Sequence, residues 1–439
     1  TSPLRHGARA RERRAQGQIG LRSVPMVPTP PGSEPSILRA HHLAGVKYEI
    51  RGPLARRALE LERQGHEVIK LNIGNPAQFG FRTPATMRLA IIENLPQAEG
   101  YCHQKGIFPA REAVVMDAQA RGIRGVTVDD VFMGNGVSEL ILMTMEALLE
   151  PGDEVLVPAP DYPLWTAAVT LTGARPVHYP CHEKNAFVPD AAELEELITP
   201  KTRALVLINP NNPTGAVYPL EVLEALVRLA ERHKLVLFSD EIYDRILYDG
   251  ARHVPVATLC HETLCATFGG LSKVYRACGL RCGWVFFSGK KHGADDYLEA
   301  LELLASLRLC SNVPAQWAVQ TALGGHQSIF ELTAESGRLG RQRRAVLDGV
   351  ARSPYLSVVA PMGALYAFPS VDREKIPAFD DHAFAMELLE AEHVLVVPGS
   401  SFNVSHTNHL RLTLLPDEDT MAEVFVRMDR LLAQWAVRA

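Results

Sequence analysis

Gly269-Gly270-Leu271-Ser272-Lys273-Val274-Tyr275-Arg276-Ala277-Cys278-Gly279-Leu280-Arg281 follows the apolar run Ala266 to Phe268 and sets a lysine in a Gly/Ser loop past the end of a strand. Alone, such a lysine reads as a solvated surface cation. Ser272 and Arg281 alter that reading. An amine held beside a second cation has a depressed pKa and attacks a carbonyl carbon. Once displaced, the same amine can carry a proton, so one residue serves as tether and base.

Two further stretches precede this one, and each also follows an apolar run. Asn209-Pro210-Asn211-Asn212-Pro213-Thr214-Gly215 comes after Ala204 to Ile208, and Asp240-Glu241-Ile242-Tyr243 after Leu235 to Phe238. Upstream, the short strand Asp130 to Met133 leads through Gly134-Asn135-Gly136 into an apolar helix, Ser138 to Leu149. Glu154 to Val157 reads as a buried strand before the turn Pro158-Ala159-Pro160-Asp161-Tyr162-Pro163. Leu220 to His233 has helical spacing, with Leu223, Leu226, Val227 and Ala230 on one face.

This alternation predicts an α/β fold, a mostly parallel sheet covered by helices on both faces. Ligands of such sheets sit outside the carboxyl ends of the strands. Gly136 to Ser138, Tyr162, Asn212, Asp240 and Lys273 all fall just after strands, which points to one shared site. Past about Gly324 the pattern changes to longer helices with short strands such as Val394 to Val397, read as a smaller α+β domain. The expected organisation is a large ligand-binding domain at 81–324 and a small domain at 325–439. A segment at 41–80, with strand-like Val68 to Ile73, packs with the small domain. Residues 1–40 are expected to be a disordered basic, proline-rich extension.

The residues after these strands divide into chemical tasks. Lys273 supplies an amine for a Schiff base. Asp240 suits a protonated ring nitrogen, although a helix cap or surface ion pair would use an aspartate equally. Asn212 and Tyr243 can hydrogen-bond a phenolate oxygen. Val137 and Ser138 open a helix, where backbone N–H groups and the dipole favour an anion, and Arg281 adds a two-point contact. Tyr162 can stack on a ring face. Arg411, in Asn408-His409-Leu410-Arg411-Leu412-Thr413, alternates with apolar residues and needs an anion if buried. An α-carboxylate would serve, and so would an internal acid. Together these are the needs of pyridoxal phosphate and an amino acid.

With those residues stated, the chain resembles the class I aminotransferases of pyridoxal-phosphate fold type I, from about Tyr48 to the C-terminus. Its nearest likeness is to the bacterial alanine (glutamate–pyruvate) branch. The segments carrying that closer likeness are Tyr48-Glu49-Ile50-Arg51-Gly52-Pro53, Leu71-Asn72-Ile73-Gly74-Asn75-Pro76, Gly134-Asn135-Gly136-Val137-Ser138-Glu139-Leu140, Val157 to Val169, and Arg308 to Gln316. Arg276, three residues after the lysine, departs from the broad class and agrees with that branch.

The resemblance implies that Lys273 carries the cofactor, Asp240 meets its pyridine nitrogen, and Asn212 and Tyr243 its phenolate oxygen. Val137, Ser138, Ser272 and Arg281 would hold the phosphate, and Tyr162 would stack. Arg411, the Gly74 backbone and Asn212 would take the substrate carboxylate. Tyr101 would reach the partner subunit's phosphate, making a homodimer with shared sites. Apart from the resemblance, glutamate's second carboxylate needs a cation: with Tyr48 to Pro53 over the pocket as a lid, Arg51 would face it, and a purely structural salt bridge is an equal reading of Arg51. The implied reaction is ping-pong exchange between L-alanine plus 2-oxoglutarate and pyruvate plus L-glutamate. A C–S lyase, a transaminase of other aliphatic amino acids, and a non-catalytic regulator are the alternatives, since fold does not fix reaction.

The bulk properties agree. The 439 residues suit two domains, and a net charge of -5 argues against broad nucleic-acid binding. No apolar stretch is long enough to cross a bilayer. Seven cysteines without a CxxC pair read as reduced thiols, with no metal site, in a cytoplasmic protein. Residues 1–25 carry six arginines against one acid, Glu12, and five prolines follow between Pro25 and Pro35. A transit peptide or an RNA-binding arm would look similar.

Overall fold

A seven-stranded sheet organises the chain. In spatial order its strands are Val131–Gly134, Gly283–Gly289, Leu264–Gly270, Val236–Asp240, Thr202–Ile208, Glu154–Ala159 and Arg175–Pro180. Only Gly283–Gly289 runs against the others. The computed structural model describes residues 52–438, together with Ile37, Leu38, Ala40, Leu43 and Val46. The readings for the basic extension and for Tyr48 and Arg51 therefore lie outside the described residues. All elements discussed here belong to the unit His42–Ala439.

The two-residue period of a strand sorts its side chains between two faces, and both faces here are buried, as parallel sheets require. On one side Phe132, Val155, Val157, Val206, Phe238 and Phe268 pack with Leu140, Ile141 and Met145 of helix Val137–Leu148, Trp165 of helix Leu164–Leu171, and Leu301 of helix Asp295–Leu307. On the other, Leu156, Leu205, Leu207 and Leu237 meet Leu223, Leu226 and Leu229 of helix Leu220–His233. Leu220–His233 is the helix the apolar spacing predicts.

Two strands were not expected. Arg175–Pro180 has Pro176 and Pro180 in it and takes the sheet's edge, where a missing N–H is tolerated. Gly283–Gly289 returns directly after Arg281, and its run Trp284-Val285-Phe286-Phe287 is the signal of a strand buried on both faces.

Among the described residues, the C-terminal part builds short antiparallel strands. Leu410–Thr413 lies between Tyr366–Ala367 and Val397–Pro398. The strand expected at Val394 to Val397 is two short ones, Val394–Leu395 and Val397–Pro398. Ile69–Lys70 pairs in parallel with Val394–Leu395, so the segment before the main sheet joins this C-terminal part. Its extent is shorter than the expected Val68 to Ile73. Helices Arg338–Arg352, Asp381–Glu392 and Glu418–Arg438 cover these strands.

Candidate active site

The carboxyl ends of the parallel strands deliver the side chains, beginning with the anion-binding end. Strand Val131–Gly134 turns through Gly136 into helix Val137–Leu148. Gly136 has φ 86°, and a Cβ there would strike the Arg281 guanidinium, so only glycine fits. Gly283 matters for the same reason, because a Cβ on it would sit 2.7 Å from the Val137 backbone nitrogen. Arg281 is held against this turn by Nη2 donating to the Asn135 carbonyl at 3.0 Å and Nη1 to the Cys278 carbonyl at 2.9 Å. The start of a twelve-residue helix and a fixed guanidinium thus share one corner.

Asp240, the last residue of its strand, is 3 % exposed. The Trp165 indole Nε1 donates to its Oδ2 at 3.0 Å, and the Ile242 N–H to Oδ1 at 3.3 Å. Burial pushes this carboxyl up to about 6 despite the indole bond and the positive charge of Lys273. A buried carboxylate without a full cationic partner is costly, so the site favours a positive group there. Asp161, wholly buried, is likewise pushed up to about 7 by burial, against hydrogen bonds from Thr166 and Asn403. It anchors the turn that carries Tyr162.

Asn212 sits in a loop closed by the Gly215 N–H donating to the Asn211 carbonyl and the Asn211 N–H to Ala216. Arg411, 1 % exposed, donates through Nη1 to Asn212 Oδ1 at 3.1 Å and through Nη2 to the Asn72 carbonyl. Its guanidinium lies 4.4 Å from the ring centre of Tyr366 and 4.9 Å from that of Phe402. Lys273 Nζ donates to the Gly74 carbonyl at 2.7 Å, linking the lysine loop to the segment that Arg411 also grips.

These groups line one cavity of about 770 Å³. It brings together Gly74, Val137, Ser138, Tyr162, Asn212, Asp240, Tyr243, Ser272, Lys273, Arg281 and Arg411, all anticipated from sequence. Tyr101 is not among its lining residues and stands 82 % exposed. Sequence reasoning missed Tyr366, which lines the cavity, and Trp165, which holds Asp240. A single buried aromatic carries no signal that separates it from core. Among the described residues no group of three His, Cys, Asp or Glu could hold a metal, and none of the cysteines is in a disulfide.

Residues 66–427 match the family model for aminotransferases of class I and II. The chain belongs to that family. This aminotransferase is 49 % identical over 397 residues to the glutamate–pyruvate aminotransferase AlaA of Escherichia coli K12, covering 90 % of this chain and 98 % of that one. It is 50 % identical over 394 residues to the alanine aminotransferase of Mycobacterium tuberculosis H37Rv, covering 90 % and 92 %. A solved aminotransferase from Escherichia coli superposes with a TM-score of 0.90 at 49 % identity, covering 91 % of this chain and 99 % of that one. The alanine aminotransferase of Pyrococcus furiosus gives 0.86 at 34 %, covering 90 % and 100 %. The fold is that of pyridoxal-phosphate enzymes of fold type I.

The family depends on pyridoxal phosphate, and the aminotransferase's cavity has the chemistry for it. One end offers an anion cradle that glycines at 136 and 283 keep open. Opposite in character is a buried carboxyl suited to a cationic ring nitrogen, with an amine also on the wall.

The carboxyl gives a testable pH dependence in the cofactor-free protein. Because the folded-state value of Asp240, about 6, lies above the ordinary 3.8, its ionisation destabilises the fold. That penalty is present above the folded value and is relieved as pH falls from about 6 to about 4. Two pKa units are worth roughly 3 kcal/mol. Asp161 adds a contribution of the same sign. Denaturant titrations of the Asp240→Asn protein are expected to show a flatter pH–stability curve than the parent over this range. Equal slopes would show that Asp240 is not strained by burial.

Proposed function

We propose that this aminotransferase exchanges the amino group of L-alanine with 2-oxoglutarate, giving pyruvate and L-glutamate in a ping-pong cycle, and holds pyridoxal phosphate in the cavity. The observation that carries this reading is the meeting of Lys273, Asp240, Arg281 and Arg411 in one cavity. These are an amine, an acid, and two arginines for two different anions. The names and extensive identity of the alanine-aminotransferase relatives support the substrate choice.

Pyridoxal phosphate, when bound, supplies an aldehyde that joins amines reversibly and a ring that accepts the electron pair released at the α-carbon. The chain's residues do the rest. Val137, Ser138, Ser272 and Arg281 hold the phosphate. Asp240 keeps the ring nitrogen protonated, and the Trp165 indole keeps Asp240 in place. Asn212 and Tyr243 face the phenolate oxygen, and Tyr162 covers a ring face. Arg411, with Asn212 and the Gly74 backbone, fixes the α-carboxylate, orienting the α-proton for transfer. Lys273 Nζ takes that proton and delivers it.

The proposal includes a cytoplasmic homodimer in which Tyr101 reaches the partner subunit's phosphate, supported by its exposure in one protomer. It also divides the chain into 41–80 with 325–439 as a small domain over 81–324, supported by the pairing of Ile69–Lys70 with Val394–Leu395.

The test is a panel of aliphatic amino donors assayed with pyruvate or 2-oxoglutarate. Alanine and glutamate are expected to show the highest kcat/KM, with no turnover unless an oxo acid is present. Release of ammonia from one amino acid alone would establish a lyase instead. Preference for another aliphatic donor would reassign the substrate and keep the chemistry.

A further inference from the structure

Tyr366 belongs to the cavity, yet none of the roles above falls to it. It is 3 % exposed and opens the two-residue strand Tyr366–Ala367, which pairs with the strand carrying Arg411. The Tyr243 hydroxyl donates to the Tyr366 hydroxyl at 3.1 Å, and the two rings meet edge-on, 5.9 Å apart. The Arg411 guanidinium covers its ring face. Its phenol also occupies the space that a side chain on Gly74 would need, beside the carbonyl that holds Lys273. One side chain therefore touches both the group facing the carboxylate and the group facing the cofactor oxygen.

We propose that Tyr366 is a positioning residue that sets the hydrogen-bond donation of Tyr243 to the cofactor's phenolate oxygen, while its ring separately supports Arg411. This rests on the roles proposed for Tyr243 and Arg411. A phenolate oxygen is a stronger acceptor than a phenol. With the cofactor bound, Tyr243 turns its proton to that oxygen and accepts one from Tyr366. Serial donation of this kind strengthens the terminal bond. The charge around the pair favours Tyr366 as the proton donor. In the cofactor-free protein burial alone would raise its pKa, but Lys273, Arg411 and the bond from Tyr243 outweigh it and hold it below the ordinary tyrosine value, with Cys278 opposing; when the proton order reverses the bond from Tyr243 is lost and the Arg411 guanidinium on its ring face stays. Tyr243 is pushed the other way, first by burial and then by Tyr366.

Tyr366→Phe removes the hydroxyl and keeps the ring. In the cofactor-loaded protein, the pH midpoint of the cofactor's visible absorption is expected to rise by about 0.5–1 unit, because the phenolate loses part of its donor. The expected kcat falls by about tenfold, and KM for alanine stays within about threefold because Arg411 keeps its stacking partner. Tyr366→Leu is expected to raise KM as well. An unchanged or lowered midpoint in Tyr366→Phe overturns the proposal, whatever the melting temperature does.

A second readout needs no cofactor. Ultraviolet titration of the cofactor-free protein is expected to show one phenol ionising below the ordinary range, absent from Tyr366→Phe. Its persistence in the variant also overturns the proposal. If the parent takes up no pyridoxal phosphate, the function proposed above fails, and this titration still decides the tyrosine pair.

Discussion

Lys273→Ala is expected to lower kcat for alanine by about 10⁴-fold or more, because in the proposed cycle the same amine anchors the cofactor and moves the proton. The fold is expected to survive. The substitution removes one hydrogen bond, to the Gly74 carbonyl, worth about 1 kcal/mol. The phosphate corner, Asp240 and Tyr162 remain, so the variant is expected to retain pyridoxal phosphate without a covalent link. Small primary amines added to the assay should restore part of the rate by carrying the proton. Rescue that rises with amine basicity separates loss of a base from loss of folding. A variant keeping a tenth of the parent's rate would show that another group moves the proton.

Arg411→Ala is expected to lower kcat/KM by about 10³-fold for alanine and pyruvate alike, since one buried charged partner of a carboxylate is worth about 3–5 kcal/mol. Arg411→Lys should recover little of this. A single ammonium cannot donate to Asn212 Oδ1 and the Asn72 carbonyl while presenting a planar pair to a ligand. It also stacks less well between Tyr366 and Phe402. The control is an amine without a carboxylate, whose slow reaction should be insensitive to the substitution. If that amine suffers as much as alanine, Arg411 acts by supporting the fold.

Lys273 and Arg411 stood out in the sequence for different reasons. Asp240 ends an apolar run that must be a strand and Lys273 follows another within a short loop, and a parallel sheet gathers its strand ends at one edge. Arg411 was legible because a charge alternating with leucines must be buried, and a buried guanidinium demands an anion. Gly136 announced itself by leading a strand into an apolar helix. What sequence could not give was contact between distant segments. Trp165 meets Asp240 across 75 residues and Tyr366 meets Tyr243 across 123. Nothing near either aromatic distinguishes it from Tyr179 or Phe238, which are plain core. Tyr101 is a different case, because its proposed contact lies in another subunit and one protomer can show only its exposure.

The strands repeat this pattern. The strands Glu154–Ala159 and Thr202–Ile208 were plain from the apolar runs Val155 to Val157 and Ala204 to Ile208 inside them. Arg175–Pro180 was hidden by its prolines, which read as loop until the sheet supplies an edge. The short strands around Arg411 were hard to bound because two-residue pairings leave no period to count.

Hydride reduction of the loaded protein followed by peptide mass spectrometry traps the proposed reversible carbon–nitrogen link between Lys273 and pyridoxal phosphate. One stable pyridoxyl adduct is expected, on the peptide containing Lys273, and none when alanine is added first to convert the cofactor to its amine form. An adduct on a different lysine, or none in a protein that has taken up the yellow cofactor, would contradict it.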